Sequence, residues 1–398
     1  MTLQTILVIV SVSQIIVCRV PGTAHIALML LEEFRRLTTI RQGGAVVCVT
    51  AKNVPNTAEQ LSLSIGMRRA GVCVPDVVKL TSGESSVVKS EFDIDVVYTW
   101  VNHEDPDWLE LYRAVDSAYS TQNAHASVNN WARFQNRNEI VYSVWSVKRY
   151  APWIRKIHVV TNCRLPAVLE QDNLVVKVTH EEVFPDSSVL PTFNSRAIES
   201  NLHRIPGVAE RILYFNDDFF LCQTTLPMDF FPDSQTVAVF PSKHDIPYGK
   251  TTGLRPIDYG ALNACELLIR DYDYKPAKKL HHSPYPLLKH NLEELEERYG
   301  DLFNATRSHK FRDNSDIPSA TTLQAYYAVA VGRGILREID SRYVDIGDPL
   351  FPLLIHPLSP LRRGKYQTLC LNEVTTPRIF ARIRDRVVRR FLESTFSD

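Results

Sequence analysis

The sequence predicts an α/β domain with a mostly parallel sheet, followed by a more helical C-terminal part. Three observations predict it. From residue 91 onward, short runs rich in β-branched and aromatic residues alternate with segments of helical spacing. The runs are nearly continuous in apolar character, as strands covered on both faces require. Two adjacent carboxylates, Asp217 and Asp218, directly follow one such run, and open α/β sheets bind ligands outside the carboxyl ends of their strands.

The elements follow in order. Ile94-Asp95-Val96-Val97-Tyr98-Thr99-Trp100-Val101 reads as a buried strand, closed by the turn chemistry of Asn102-His103-Glu104-Asp105-Pro106. Residues 108–117 read as a helix. Residues 138–150 place Ile140, Val141, Val144 and Val147 at helical spacing, and Pro152 stops that helix. Residues 154–161 and 174–178 read as the second and third strands. Residues 195–205 read as a helix closed by Pro206-Gly207. Residues 211–215 form the fourth strand and lead directly into Asn216-Asp217-Asp218. Further on, residues 286–299 and 320–331 have helical spacing. The tail, 377–398, alternates Ile379, Ile383, Val387 and Phe391 with six arginines and reads as a basic amphipathic helix. Such a helix can cover the core with a solvated outer face, or make a peripheral contact with anionic lipid.

Residues 1–90 form a variable N-terminal region that names no chemistry. Residues 3–17 are mostly apolar but short for a membrane span, and lack a basic segment before them. They read as a strand or helix, or alternatively as a signal or anchor that would place the chain in a secretory lumen. Lys+Arg and Asp+Glu balance at 45 each, which removes the electrostatic case for nucleic acid. No glycine-cradled phosphate loop occurs. Seven cysteines, without zinc spacing, read as free thiols in a reducing, cytoplasmic compartment.

The residue types gathered by this layout suit phosphoryl transfer. Asn102, Asp105, Asn216, Asp217, Asp218 and Glu373 offer oxygen ligands for Mg²⁺ or Mn²⁺. Arg133 and Arg312 offer planar forks for phosphate. His281, His282 and His309 offer proton transfer near neutral pH. Each has a plainer reading. The acid pair and Asp105 serve equally as turn residues, Arg133 as an ion-pair partner of Glu139, and the histidines as surface groups.

These segments together resemble the Stealth family, which includes bacterial capsular and exopolysaccharide hexose-1-phosphate transferases and the catalytic subunit precursor of a eukaryotic N-acetylglucosamine-1-phosphotransferase. The resemblance covers roughly residues 91–376 in four regions. They are 94–102 with Asp105-Pro106; Arg133-Phe134 through Tyr214-Phe215-Asn216-Asp217-Asp218; His281-His282-Ser283-Pro284-Tyr285 to His309-Lys310-Phe311-Arg312; and Cys370-Leu371-Asn372-Glu373. This chain departs from bacterial members at Asn102 and from the family at Glu373, where Asp is usual, and its run Gln135-Asn136-Arg137-Asn138 is poor in acids.

The resemblance implies a Rossmann-like nucleotide-sugar transferase domain and a transferase of phosphorus-containing groups. It implies a UDP-sugar donor, a polysaccharide or other glycan acceptor, and release of UMP. On that basis Asp217, Asp218 and Glu373 are expected at the metal. Arg133, Arg312, His282, His309 and Asp105 are expected in catalysis. Asn102, Glu139, Asn194, Ser195 and Asn216 are expected at the substrate. The same groups would also serve a glycosyltransferase that releases UDP, or a non-catalytic glycan-binding member.

Overall fold

The computed structural model describes residues 90–122, 134–348, 351–355, 366–373 and 381–397, and five strands nearer the N-terminus. The chain divides into two compact units, Met1–Ser86 and Val87–Asp398. In the first, Thr5–Ser11 pairs antiparallel with Gln14–Arg19 and with Val46–Thr50, and Leu61–Gly66 pairs antiparallel with Pro75–Leu80. Within residues 3–17, Thr5–Ser11 and the start of Gln14–Arg19 are strands.

The second unit is built on a five-stranded sheet. Its strands are β1 (Ile94–Thr99), β2 (Ile157–Val160), β3 (Val175–Val178), β4 (Arg211–Asn216) and β6 (Tyr285–Leu288). Their spatial order is β6-β4-β1-β2-β3. β4, β1, β2 and β3 run parallel, and β6 is an antiparallel edge. Alternate residues of β1 and β4 feed two cores. Val96, Tyr98, Leu213 and Phe215 join one face; Val97, Ile212 and Tyr214 join the other. Both faces are covered, which explains why these strands lack a polar alternation.

The helices are α1 (Pro106–Gln122), α2 (Glu139–Tyr150), α3 (Ser195–Glu199), α4 (Pro256–Tyr272), α5 (Lys289–Ser308) and α6 (Gln324–Ala330). A second, smaller sheet orders β5 (Phe219–Leu221), β8 (Thr368–Asn372) and β7 (Ser341–Asp345). The C-terminal helix α7 (Ala381–Phe396) lays Val388, Phe391, Leu392 and Phe396 against Phe220, Val344 and Leu369. The helix thus covers the core, but with a face shifted from the expected one: Phe391 is buried and Val387 partly so, Ile383 is exposed, and Ile379 lies outside the described residues. Among the described residues no helix is long and apolar enough to cross a membrane.

Three expected elements differ. The helix expected over 195–205 stops at Glu199, because Ser200 Oγ and Asn201 Nδ2 both donate to the Ala197 carbonyl, at 2.8 and 2.7 Å. Side chains that compete for helix carbonyls favour such breaks. The helix expected from 286 begins at Lys289, since Pro286, Leu287 and Leu288 are paired with β4. The helix expected over 320–331 opens with a π turn at Ser319–Leu323.

Candidate active site

The parallel strands all end on one cleft of about 480 Å³. Thr99, Trp100 and Val101 reach it from β1, Thr161, Asn162 and Cys163 from β2, His180 from just beyond β3, and Asn216 from β4. Asp217 and Asp218 then make the turn by which the chain leaves the central sheet and enters β5 of the smaller one. β5 pairs with β8, and the Leu371 amide donates to the Asp218 carbonyl at 3.0 Å. That pairing brings Asn372 and Glu373 to the cleft, and the neighbouring β7 brings Tyr343. The turn reading of the acid pair is the one the backbone shows.

The electrostatics of the pair are unusual. Burial raises the carboxyl pKa of Asp217 far above the carboxylate range, and the adjacent Asp218 raises it further. Burial also raises Asp218, although Asn372 Nδ2 donates to its Oδ2 at 2.9 Å and the Cys370 thiol lies 3.6 Å away. Among the described residues neither carboxylate has an ion-pair partner, and Asp218 Oδ1 is buried without any hydrogen-bond partner. Two desolvated acids with an orphaned oxygen fit a hard divalent cation, whose charge would reverse both shifts. Among the described residues no group of three or more His, Cys, Asp or Glu side chains gathers as a ready-made cage. A cation here would complete its shell from a ligand's oxygens, as Mg²⁺ commonly does.

Arg312, whose Nη2 donates to Ser195 Oγ at 2.5 Å, lines the same cleft, as does Arg255 at the start of α4. His282 also lines the cleft, against Tyr343, with ring centroids 5.3 Å apart. Burial first, then His281, Arg255 and Arg312, depress its pKa to about 4. It is therefore neutral at pH 7 and able to accept a proton. Asn216 is oriented by the Tyr214 hydroxyl, which donates to its Oδ1 at 3.1 Å and also meets Thr99 Oγ1 at 2.9 Å.

Several expected site residues have other occupations. Asp105 caps α1: its Oδ1 accepts from the Asp107 and Trp108 amides, and its Oδ2 from the Arg164 amide at 2.7 Å. Asn194 is fully buried, caps α3 through the Arg196 amide, and donates to Asp316. His309 bonds the same buried Asp316 through Nδ1 at 2.7 Å, outside the cleft lining. Asn102 accepts from Asn136 Nδ2 at 3.2 Å and so ties down the loop ahead of α2. Glu139 and Glu373 line the cleft, but their charges are already met. Arg137 bonds both, and Arg384 Nη1 lies 2.5 Å from Glu373. A carboxylate already beside two guanidiniums offers a cation less than the Asp217–Asp218 pair does, although Glu373 Oε1 is itself buried without a hydrogen bond. Arg133 lies outside the described residues.

Arg137, Tyr343, Asn372 and Glu199 were not singled out from the sequence. Glu199 is buried behind Ser195, its pKa raised by burial against the pull of Arg312 and Arg196. Arg137, Glu199 and Asn372 lay within the segments that carry the family resemblance, whereas Tyr343 lay outside them.

Comparison with known proteins gives three family-model matches: Stealth protein conserved region 1 over residues 92–120, conserved region 2 over 133–239 and conserved region 3 over 281–329. An exopolysaccharide phosphotransferase of Streptomyces coelicolor is 37% identical over 284 residues, 71% of this chain and 47% of that protein. One of Mycobacterium leprae is 33% identical over 77% of this chain and 56% of its own. The capsular polysaccharide phosphotransferase SacB of Neisseria meningitidis serogroup A is 38% identical over 61% of this chain and 44% of its own. The chain spans about half the length of these relatives. A solved galactosyltransferase, LgtC, in complex with donor and acceptor sugar analogues superimposes on 76% of this chain and 97% of its own, at 9% identity and a TM-score of 0.38. That likeness is too slight to bear on the site.

Proposed function

The chain belongs to the Stealth family, and from that premise we propose that it moves a hexose-1-phosphate or N-acetylhexosamine-1-phosphate from a UDP-sugar to a hydroxyl of a glycan. The product would be a sugar–sugar phosphodiester, with UMP released. The relatives' names, as exopolysaccharide and capsular polysaccharide phosphotransferases, support this reading. The observation that carries it in this molecule is the cleft itself. Two carboxylates that make no ion pair among the described residues share one cavity, at the ends of parallel strands, with Arg312, Arg255 and a neutral His282.

In this reading the acceptor oxygen attacks the β-phosphorus, and the bond from that phosphorus to the oxygen bridging the α-phosphate breaks. The bridging oxygen leaves on UMP, and the acceptor proton passes to the His282 imidazole. Asp217 and Asp218 would hold Mg²⁺ or Mn²⁺, which when bound neutralises diphosphate oxygens as charge shifts onto the leaving phosphate. Arg312, steadied by Ser195, binds phosphate oxygens. Asn216 and Thr161 orient the nucleotide end at the strand termini.

The test is a panel of UDP-sugars with Mg²⁺ or Mn²⁺, scoring UMP against UDP. Release of UMP with a phosphodiester signal in the phosphorus NMR spectrum is expected. UDP release with no phosphodiester would establish glycosyl transfer instead. Asp218→Ala is expected to lower kcat/KM by at least ~100-fold, the scale of a lost charge-stabilising group. A fully active, metal-independent Asp217/Asp218 double alanine would remove both acids from the mechanism.

A further inference from the structure

The floor of the cleft rests on a chain of ion pairs that ends on the C-terminal helix. Arg137 reaches Glu139 at 3.2 Å, Glu373 in a short contact, and Asp385 at 2.7 Å. Arg384 reaches the other oxygen of Glu373 at 2.5 Å. Glu139, Arg137 and Glu373 line the cleft, while Arg384 and Asp385 belong to α7. The side chains are 4–7% exposed except that of Asp385, at 39%. Glu139 and Arg137 also act on Asp217 directly, with opposite signs. In so dry a setting each charge is felt strongly by its neighbours.

We infer that α7 is a positioning element of the active site: through Arg384 and Asp385 it fixes the net charge that Glu373, Glu139 and Arg137 together present to the Asp217–Asp218 pair, and thereby balances cation affinity against affinity for the donor's diphosphate. The inference rests on the acid pair being the cation seat. Too little positive charge below the pair would tighten a cation and repel the diphosphate; too much would do the reverse. Neither Arg384 nor Asp385 lines the cleft, so each acts through Arg137 or Glu373. The apolar packing of Val388, Phe391 and Leu392 keeps the helix in register for this.

The test uses the full chain. Mn²⁺ affinity is read by paramagnetic resonance titration, metal-free UDP affinity by calorimetry, and folding by thermal melting. Arg384→Gln removes a positive charge and is expected to tighten Mn²⁺ by at least about threefold and weaken UDP, as Coulomb attraction to a divalent ion at this range implies. Asp385→Asn removes a partly exposed negative charge and is expected to shift both affinities the opposite way, and Arg384→Lys to restore wild-type values. A structural role alone would move both affinities in the same direction or only the melting temperature. If Arg384→Gln does not fold, Asp385→Asn decides by itself. Affinities that stay unchanged, or fall together, overturn the inference, as does a wild-type chain that binds UDP but no Mn²⁺. The opposed Mn²⁺ shifts in a chain that binds no UDP would instead uphold the charge balance and sink the sugar-phosphate reading.

Discussion

His282 is the residue whose environment differs most from what its type suggests in water. Burial and the nearby Arg255 and Arg312 hold its pKa near 4, so its base form persists well below neutrality. At saturating metal, kcat/KM is expected to show no inflection near 6.5 from this group; its acid limb falls below about pH 5. His282→Gln is expected to lower kcat by ~10²–10⁴-fold, the range for a lost general base. A kcat within a few fold of wild type would move the proton acceptor elsewhere. His309, with its imidazole on Asp316 and its pKa raised by that bond, is expected to leave the pH profile of the reaction unmoved when replaced by Gln. At this scale the acids of the site were legible because adjacent carboxylates after an apolar run are unusual. Arg137 was not, because its partners Glu373 and Asp385 lie 236 and 248 residues away in sequence.

Element ends carry much of the site's precision. Asn194 caps α3 and also satisfies Asp316, which in turn holds His309 and the Asp313 amide. Asn194→Ala is expected to destabilise the fold by about 1–3 kcal/mol, a lost cap plus an under-satisfied buried acid. Chemical denaturation measures this; a change below 0.5 kcal/mol, roughly the surface-substitution range, would contradict it. Asp105→Ala removes the α1 cap and the bond to the Arg164 amide, and is expected to cost about 0.5–2 kcal/mol while the folded enzyme keeps its donor KM. The parallel strands, α1, α2 and the first part of α5 were readable from their periodicity, whereas α4, β7 and β8 were not read. β6 was not: Tyr285, Pro286, Leu287 and Leu288 form a short apolar run, and only pairing with Tyr214 through Arg211 distinguishes strand from helix. The break after Glu199 was hidden for a related reason, since Ser200 and Asn201 look like ordinary helix-end residues until their bonds to Ala197 are seen.

At the scale of the molecule, the site sits where two sheets meet. The parallel strands supply the crevice that the sequence pattern predicts. β8 and β7, drawn from the last third of the chain, supply Asn372 and Tyr343, which no local pattern could place there. The same enclosure sets a pH dependence of stability. His180 is buried on the cleft wall, and burial lowers its pKa from 6.5 to about 4. The unfolded chain therefore binds a proton below pH 6.5 that the folded chain refuses until about pH 4, so stability falls as pH drops through that window. The difference in unfolding free energy between wild type and His180→Gln is expected to shrink by about 1–2 kcal/mol from pH 7 to pH 5. A constant difference would mean that His180 binds its proton equally well in the folded and unfolded chain.

In sugar-1-phosphate transfer the bond from the sugar to its phosphate oxygen survives the reaction. A UDP-sugar carrying ¹⁸O between the anomeric carbon and the β-phosphorus tests it most directly, with both products analysed by mass spectrometry. Sugar-1-phosphate transfer predicts that the label stays in the phosphodiester product and that the released nucleotide is unlabelled UMP. Label recovered in UDP would mean that the anomeric carbon was attacked, and would contradict the account.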